Sequence, residues 1–225
     1  MNEQLQNKNV LIVGLGGVGS YTAEILVRQG IGKMTLVDAD DVSLTNINRQ
    51  LPALPETVGK IKVDVIKERL LRINQSIQIE IRKEFIDGDR IKQIVEELPY
   101  DYVVDAIDSV SPKIYLIKST IEAKIPLVSA MGAGGRFDPS KVMIADISQT
   151  YQDSLTRIVR SRLHKFNIRS GFKCVFSSEE ADKAALMFHE ERFKRSSFGT
   201  LSYMTSIFGL KCAEVVLHDL LSSSS

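Results

Sequence analysis

Cysteine is scarce in this 225-residue sequence, with Cys174 and Cys212 the only two. Two thiols exclude a disulfide framework and a four-thiolate zinc site, and they fit a reducing, cytoplasmic compartment. An excess of charge is missing too: 29 Lys and Arg stand against 28 Asp and Glu, a net charge of +1, so the whole-molecule field selects no polyanion. No apolar run approaches the roughly 20 residues that a membrane span needs. The opening MNEQLQNKNV has no basic stretch leading into an apolar run, which argues against a signal peptide. There is no internal repeat. What is present is ordinary globular composition, 44% hydrophobic and 25% charged, enough for one substantial core or for one domain and an annex.

Short apolar runs alternate with amphipathic stretches. Val10 to Val13 ends in glycines and suits a buried parallel strand; Tyr21 to Gln29 predicts a helix stopped by Gly30 and Gly32. Met34 to Asp38 is a second strand. Lys60 to Asn74 carries a helical stripe of Ile61, Val65, Ile66, Leu70 and Ile73, and Ile77 to Ile81 alternates as a half-buried strand does. Helices are expected over Asp89 to Leu98 and Pro112 to Ala123, strands over Tyr102 to Ala106 and Pro126 to Ala130. Strands alternating with helices imply an α/β, Rossmann-like doubly wound, mostly parallel sheet flanked by helices. After Asp146 the character changes. A division follows into a nucleotide-binding domain, 1–146, and a smaller C-terminal extension, 147–225, packed on the same core. Within the extension, charged Ser177 to Ser197 predicts a loop or mobile segment. Leu201 to Leu221 predicts an apolar helix with Gly209 allowing close packing, and Ser222 to Ser225 a frayed tail.

The chemistry concentrates in the first half. Gly14, Gly16, Gly17 and Gly19 lie between a strand and a helix, where backbone can approach phosphate oxygens and a helix N-terminus offers free N–H groups. Asp38 ends the following strand at about the ~20-residue spacing at which an acid meets ribose hydroxyls. Alone, this reads most simply as a nicotinamide dehydrogenase. The next segment argues otherwise. Asp38, Asp40, Asp41, Asn46, Asn48 and Arg49 crowd one short stretch, and Gly59-Lys60-Ile61-Lys62 opens the next helix. Cations there suit a nucleoside triphosphate, on which charge develops as a phosphate is displaced. Asp105 and Asp108 stand at a strand's C-terminal end, where doubly wound sheets bind ligands and a carboxylate can hold Mg²⁺. Arg49 and Lys62 are expected at a loop and a helix edge, with little core burial.

Taken together and in this order, the Gly-x-Gly-Gly-x-Gly, Asp-x-Asp, Asn-x-x-Arg, Gly-x-x-Lys and strand-end Asp motifs resemble the E1-like (ThiF/MoeB-type) adenylating superfamily. The resemblance implies that Gly17 faces an ATP molecule and Asp38 its ribose. It assigns Asn46, Arg49 and Lys62 to the phosphates and Asp108 to Mg²⁺, with Gly14, Gly16, Gly19, Asp40 and Ser109 in the same nucleotide site. Sulfur-carrier activators of that superfamily bear two Cys-x-x-Cys pairs and an Asp-Asn at the strand end; this sequence has neither, and reads Asp108-Ser109-Val110. The Met131-to-Pro139 segment, Cys174-Val175-Phe176-Ser177 and the stretch SSFGTLSYMTSIFGLKCAEVV are similar instead to the tRNA threonylcarbamoyladenosine dehydratases. Such enzymes use ATP to activate the carboxylate of N6-threonylcarbamoyladenosine in tRNA; the neighbouring carbamoyl group then closes a ring.

That implied chemistry needs orientation more than a protein nucleophile, so Cys174 and Cys212 read as buried structural thiols. The three histidines show no metal-ligand spacing. The family also implies a homodimer, with room for an accessory sulfur-transfer protein. It places an arginine ahead of the first strand, yet the first arginine here is Arg28: either the chain is trimmed or divergent, or γ-phosphate contacts come from elsewhere. Between Tyr151 and Lys173 six basic residues face a single acid, Asp153, so Arg157, Arg160 and Arg162 read equally as tRNA contacts or as one solvated helix face. Two further readings stay open: activation of a ubiquitin-like sulfur-carrier protein, and a nucleotide-binding module without turnover.

Overall fold

The computed structural model describes residues 3–182, 186–191 and 194–222. A short helix α1 (Glu3–Gln6) leads into β1 (Asn9–Val13), α2 (Gly19–Gln29), β2 (Lys33–Val37), α3 (Lys62–Ile73) and β3 (Gln78–Arg82). Helix α4 (Gly88–Glu97), β4 (Tyr102–Asp105), α5 (Val110–Glu122) and β5 (Leu127–Ala130) continue the alternation. Then come β6 (Val142–Asp146), α6 (Ser154–Leu163), β7 (Lys173–Ser177), β8 (Leu186–Glu191), β9 (Lys194–Phe198) and α7 (Ser202–Ser222).

Seven strands form one sheet in the order β3-β2-β1-β4-β5-β7-β6, parallel throughout except for the antiparallel β6–β7 pair. Strands buried on both sides must be apolar throughout, and β1, Asn-Val-Leu-Ile-Val, is buried along its whole length. Alternate residues serve opposite faces. Val10 and Ile12 join α2, α3 and α7 in one core through Leu26, Ile66 and Phe208; Leu11 and Val13 join α4, α5 and α6 in the other through Ile94, Ile117 and Val159. Consecutive strands step outward from β1 to β3, and the chain then returns to place β4 on β1's other side. The crevice at the C-terminal ends of β1 and β4 is therefore a topological switch point.

Strand β7 comes from the C-terminal stretch yet lies between β5 and β6 in the main sheet. Helix α2 ends as expected: Gly30, at φ 97°, takes the left-handed cap and donates its N–H to Val27. The expected loop over Ser177 to Ser197 is corrected. Beyond β7, which runs to Ser177, the backbone forms the antiparallel β8–β9 pair, Leu186 opposite Phe198 and Glu191 opposite Lys194. Charged side chains concealed it because strand pairing is made by main-chain groups. Helix α7 reaches Ser222; the rest of the expected tail lies outside the described residues.

Helix α7 crosses α2 closely, and Gly209 makes this crossing fit. A Cβ at that position would fall 2.6 Å from the carbonyl oxygen of Val18, and the Thr22 hydroxyl donates to the Gly209 carbonyl at 3.0 Å. Val18 belongs to the glycine turn, so α7 packs directly behind that turn.

Candidate functional site

The glycine turn leaves the end of β1 at Gly14, whose φ of 90° suits glycine. A Cβ there would meet the Ala106 carbonyl oxygen at 2.7 Å, so the turn and the end of β4 touch. Gly16 to Gly19 then wrap into the first turn of α2, leaving N–H groups at its N-terminus. Beside them the Asp38 carboxylate accepts the Leu15 N–H at 2.6 Å and the Asp40 N–H at 2.9 Å. Burial raises the Asp38 pKa above the usual carboxylate value, although the Lys62 ammonium and these N–H groups pull it down.

The expectation that Lys62 is a lightly buried, helix-edge charge is corrected. It is the first residue of α3, only 2% exposed, and its Nζ contacts Asp40 at 3.0 Å and Asp38 at 3.4 Å. An isolated pair of bridging contacts, Asp41 with Ile61, folds the start of α3 back over the end of β2. The Lys62 N–H donates to the Asp40 carbonyl in the same hook. Asn46 uses its side-chain oxygen to accept the Ser43 N–H. Arg49 remains at the surface: its Nη1 donates to the Thr45 carbonyl and to Asn48 Oδ1, both at 2.8 Å. Partial burial lowers the Arg49 pKa, and the charge of Asp108 opposes that shift, which locates these two groups within electrostatic reach.

The two strand-end acids take different parts. Asp105 is fully buried, paired with fully buried Lys113 at 2.6 Å, and it accepts the Ser129 hydroxyl and the Ile107 N–H. Lys113 also donates to the Ala130 carbonyl. This network braces the β4–α5 turn, while Asp108 is exposed on it beside Ser109, the residue preceding α5. Asp108 is thus the strand-end carboxylate at the surface, and a single carboxylate there fits Mg²⁺ drawing its remaining ligands from phosphates and water. Among the described residues no group of three or more His, Cys, Asp or Glu is arranged to hold a metal by itself.

Gln50 had no separate place in the sequence reading. Its Oε1 is buried without a hydrogen-bond partner, and its amide nitrogen lies against Gly16. Adjacency to Arg49 was the sole signal for it. A cavity of about 390 Å³ opens beside this segment, lined in part by Tyr21, Ile47, Arg49, Gln50 and Leu54.

A family model described as the ThiF family matches residues 1–223. The chain belongs to the ThiF family. The tRNA threonylcarbamoyladenosine dehydratase of Bacillus subtilis is 44% identical to this ThiF-family chain over 177 residues, 79% of the chain and 69% of the relative. The Escherichia coli K12 protein of the same name is 37% identical over 235 residues, covering 96% of this chain and 87% of its own length. The crystal structure of the E. coli dehydratase, TcdA, in complex with ATP superposes with a TM-score of 0.89 at 36% identity, over 98% of this chain and 88% of that one.

Both cysteines of the ThiF-family chain are buried. Burial pushes the Cys174 thiol well above its ordinary value and Cys212 up to about 12, so neither is poised as a thiolate. No described helix is long and apolar enough to cross a membrane. The three arginines expected to act together do not share one face. Arg160 turns inward to the Thr150 carbonyl at 2.6 Å, whereas Arg157 and Arg162 are exposed and Arg162 reaches Ser111 Oγ at 3.3 Å on the first turn of α5. Asp153, the single acid of that stretch, is buried against Arg136 at 2.5 Å and caps α6 through the Thr156 N–H.

Proposed function

We propose that this protein is an ATP-dependent tRNA threonylcarbamoyladenosine dehydratase. One observation carries the reading: the glycine turn, Asp38, Lys62, Arg49 and Asp108 converge on the crevice between β1 and β4. The similarity to dehydratases over nearly the whole chain supports it. A carboxylate is a poor electrophile. Its oxygen attacks the α-phosphorus of ATP, the bond to the β-phosphate bridging oxygen breaks, and pyrophosphate leaves. The α2 N-terminus and the Arg49 and Lys62 cations meet the phosphate charge that accumulates. The neighbouring carbamoyl group then attacks the activated carbonyl, the carbonyl–oxygen bond to AMP breaks, and a proton is released as the ring closes. Both reacting groups belong to one nucleoside, so the second step depends on orientation and needs no protein thiol or sulfur carrier.

Asp108 would hold Mg²⁺, whose charge would neutralise the triphosphate. Asp38 holds the ribose, and Gln50 Oε1 is an acceptor for a donor group on the bound nucleotide. We further propose a cytoplasmic homodimer. Leu44, Ile47, Leu54 and Val58 are exposed beside Arg49, an apolar face that a second copy would cover. The test is incubation with Mg·ATP and tRNA carrying N6-threonylcarbamoyladenosine, following AMP and pyrophosphate release and the loss of one water from the nucleoside. Release driven by a ubiquitin-like carrier protein instead, or no release with either, would overturn the assignment.

A further inference from the structure

Between Ser154 and Lys173 there is no Asp or Glu at all, against six Lys and Arg. In a chain of net charge +1 this is a local departure. Three of the six have partners: Arg160 with Thr150, Arg162 with Ser111, and Lys173 with Asp219 at 2.5 Å. Four of the six, Arg157, Arg162, Lys165 and Arg169, are exposed. On α6, Arg157 and Ser161 form one exposed row and Ile158 and Arg162 the neighbouring one; exposed Lys165 and Phe166 follow in the 3-10 turn, His164–Phe166, that ends the helix. Buried Thr156, Val159 and Leu163 occupy the opposite side. Phe166 is 42% exposed, and the Lys118 ammonium lies 5.5 Å from its ring centroid. The basic face thus carries an exposed aromatic and no carboxylate of its own, because Asp153 is buried against Arg136. Through the Arg162–Ser111 contact it adjoins the start of α5, three residues beyond Asp108.

We propose that this face, Arg157 to Arg169, is the track along which the RNA backbone lies while the modified nucleoside occupies the strand-end crevice. Charge complementarity selects the occupant: exposed Arg and Lys without acids attract a regular polyanion by releasing its counterions. Helix α6 alone, ten residues long, offers about 15 Å of surface, several phosphates of one strand. Phe166 supplies a stacking surface for an unpaired base. The track rests on the reading of the substrate as tRNA; it adds where the RNA lies and which cations it meets, and it leaves Arg160 out.

The experiment measures binding of modified and unmodified tRNA by filter retention over a range of salt concentrations, alongside ATP binding and AMP release. Arg157→Gln combined with Lys165→Gln should reduce the slope of log affinity against log salt by about two, near one per cation, for both RNAs alike. ATP binding should be unchanged. The charge-preserving pair Arg157→Lys with Lys165→Arg should keep the wild-type slope. So should Lys67→Gln with Arg72→Gln on α3, across the sheet. A native ATP-binding double variant with an unaltered slope overturns the track, as does a wild-type protein that retains no tRNA. A slope effect seen with polyglutamate and not with tRNA would overturn it in favour of an acidic protein. If wild type releases AMP with modified tRNA yet the slope does not move, the track alone fails. If the slope moves but no modified tRNA drives release, the dehydratase reading fails and the track stands.

Discussion

Lys62 is where electrostatics and stability meet, and Lys62→Met tests both. The substitution keeps the volume and removes the charge, leaving the nearly buried Asp38 carboxylate supported only by the Leu15 and Asp40 N–H groups. Breaking a buried pair costs about 3–5 kcal/mol when the remaining charge has no other support. Two N–H donors and the long 3.4 Å contact place this case at or just below the lower end of that range, and the Asp40 arm adds little because that carboxylate is 74% exposed. A loss of about 2–3 kcal/mol corresponds to a fall in Tm of roughly 4–12 °C for a chain of this size. The pH dependence has a definite sign. Asp38 already has a raised pKa in the folded state, so its ionisation disfavours folding as pH rises through the window between its unfolded and folded values. Removing Lys62 raises that folded value further. The deficit in Tm should therefore be larger at pH 7.5 than at pH 5, where Asp38 more readily takes a proton. Calorimetric scans at both pH values decide. An unchanged Tm at pH 7.5, or a deficit that grows on acidification, would refute the account.

Three other substitutions separate the roles. Arg49→Ala should leave Tm within about 1 °C, because its hydrogen bonds to Thr45 and Asn48 lie within its own exposed loop, while AMP release falls by about 10²-fold or more. Undiminished turnover would remove Arg49 from the phosphate site. Asp108→Asn should raise the Mg²⁺ concentration needed for half-maximal release several-fold with secondary structure unchanged; an unaltered metal titration would exclude it as a ligand. Gly209→Val should lower Tm and weaken ATP binding together, because the new side chain meets the Val18 carbonyl behind the glycine turn. Normal ATP affinity in a destabilised Gly209→Val protein would show the turn to be indifferent to that helix.

Much of this architecture is legible along the chain because local pattern and final environment agree. Val10 to Val13 is apolar because both faces of β1 are covered, and Gly14 precedes a helix because the turn presses on Ala106. What was hidden depends on distant partners. Strand β6 is five residues whose place is set by antiparallel pairing with β7, and β7 inserts beside β5 across more than forty intervening residues. Lys62 looks like a surface charge until the hook between Asp41 and Ile61 seats it over two carboxylates. Asp105 and Asp108 look equivalent until Lys113, on the first turns of α5, claims Asp105 in the interior and leaves Asp108 outside. Spacing alone grouped Arg157, Arg160 and Arg162; the backbone carbonyl of Thr150 separates them.

The packing of α7 behind the glycine turn gives the site an order of assembly. Every nucleotide motif lies between Gly14 and Asp108, yet the Thr22 hydroxyl bonds a carbonyl 187 residues further along, and Thr205 closes on Gly17 from behind. A nascent chain on the ribosome would carry all of the motif residues long before the helix that backs them had been made. Competence to grip a nucleotide should then arrive late in synthesis and abruptly. A chain interrupted ahead of α7 would present recognisable motifs to a reader of sequence and a loose turn to ATP.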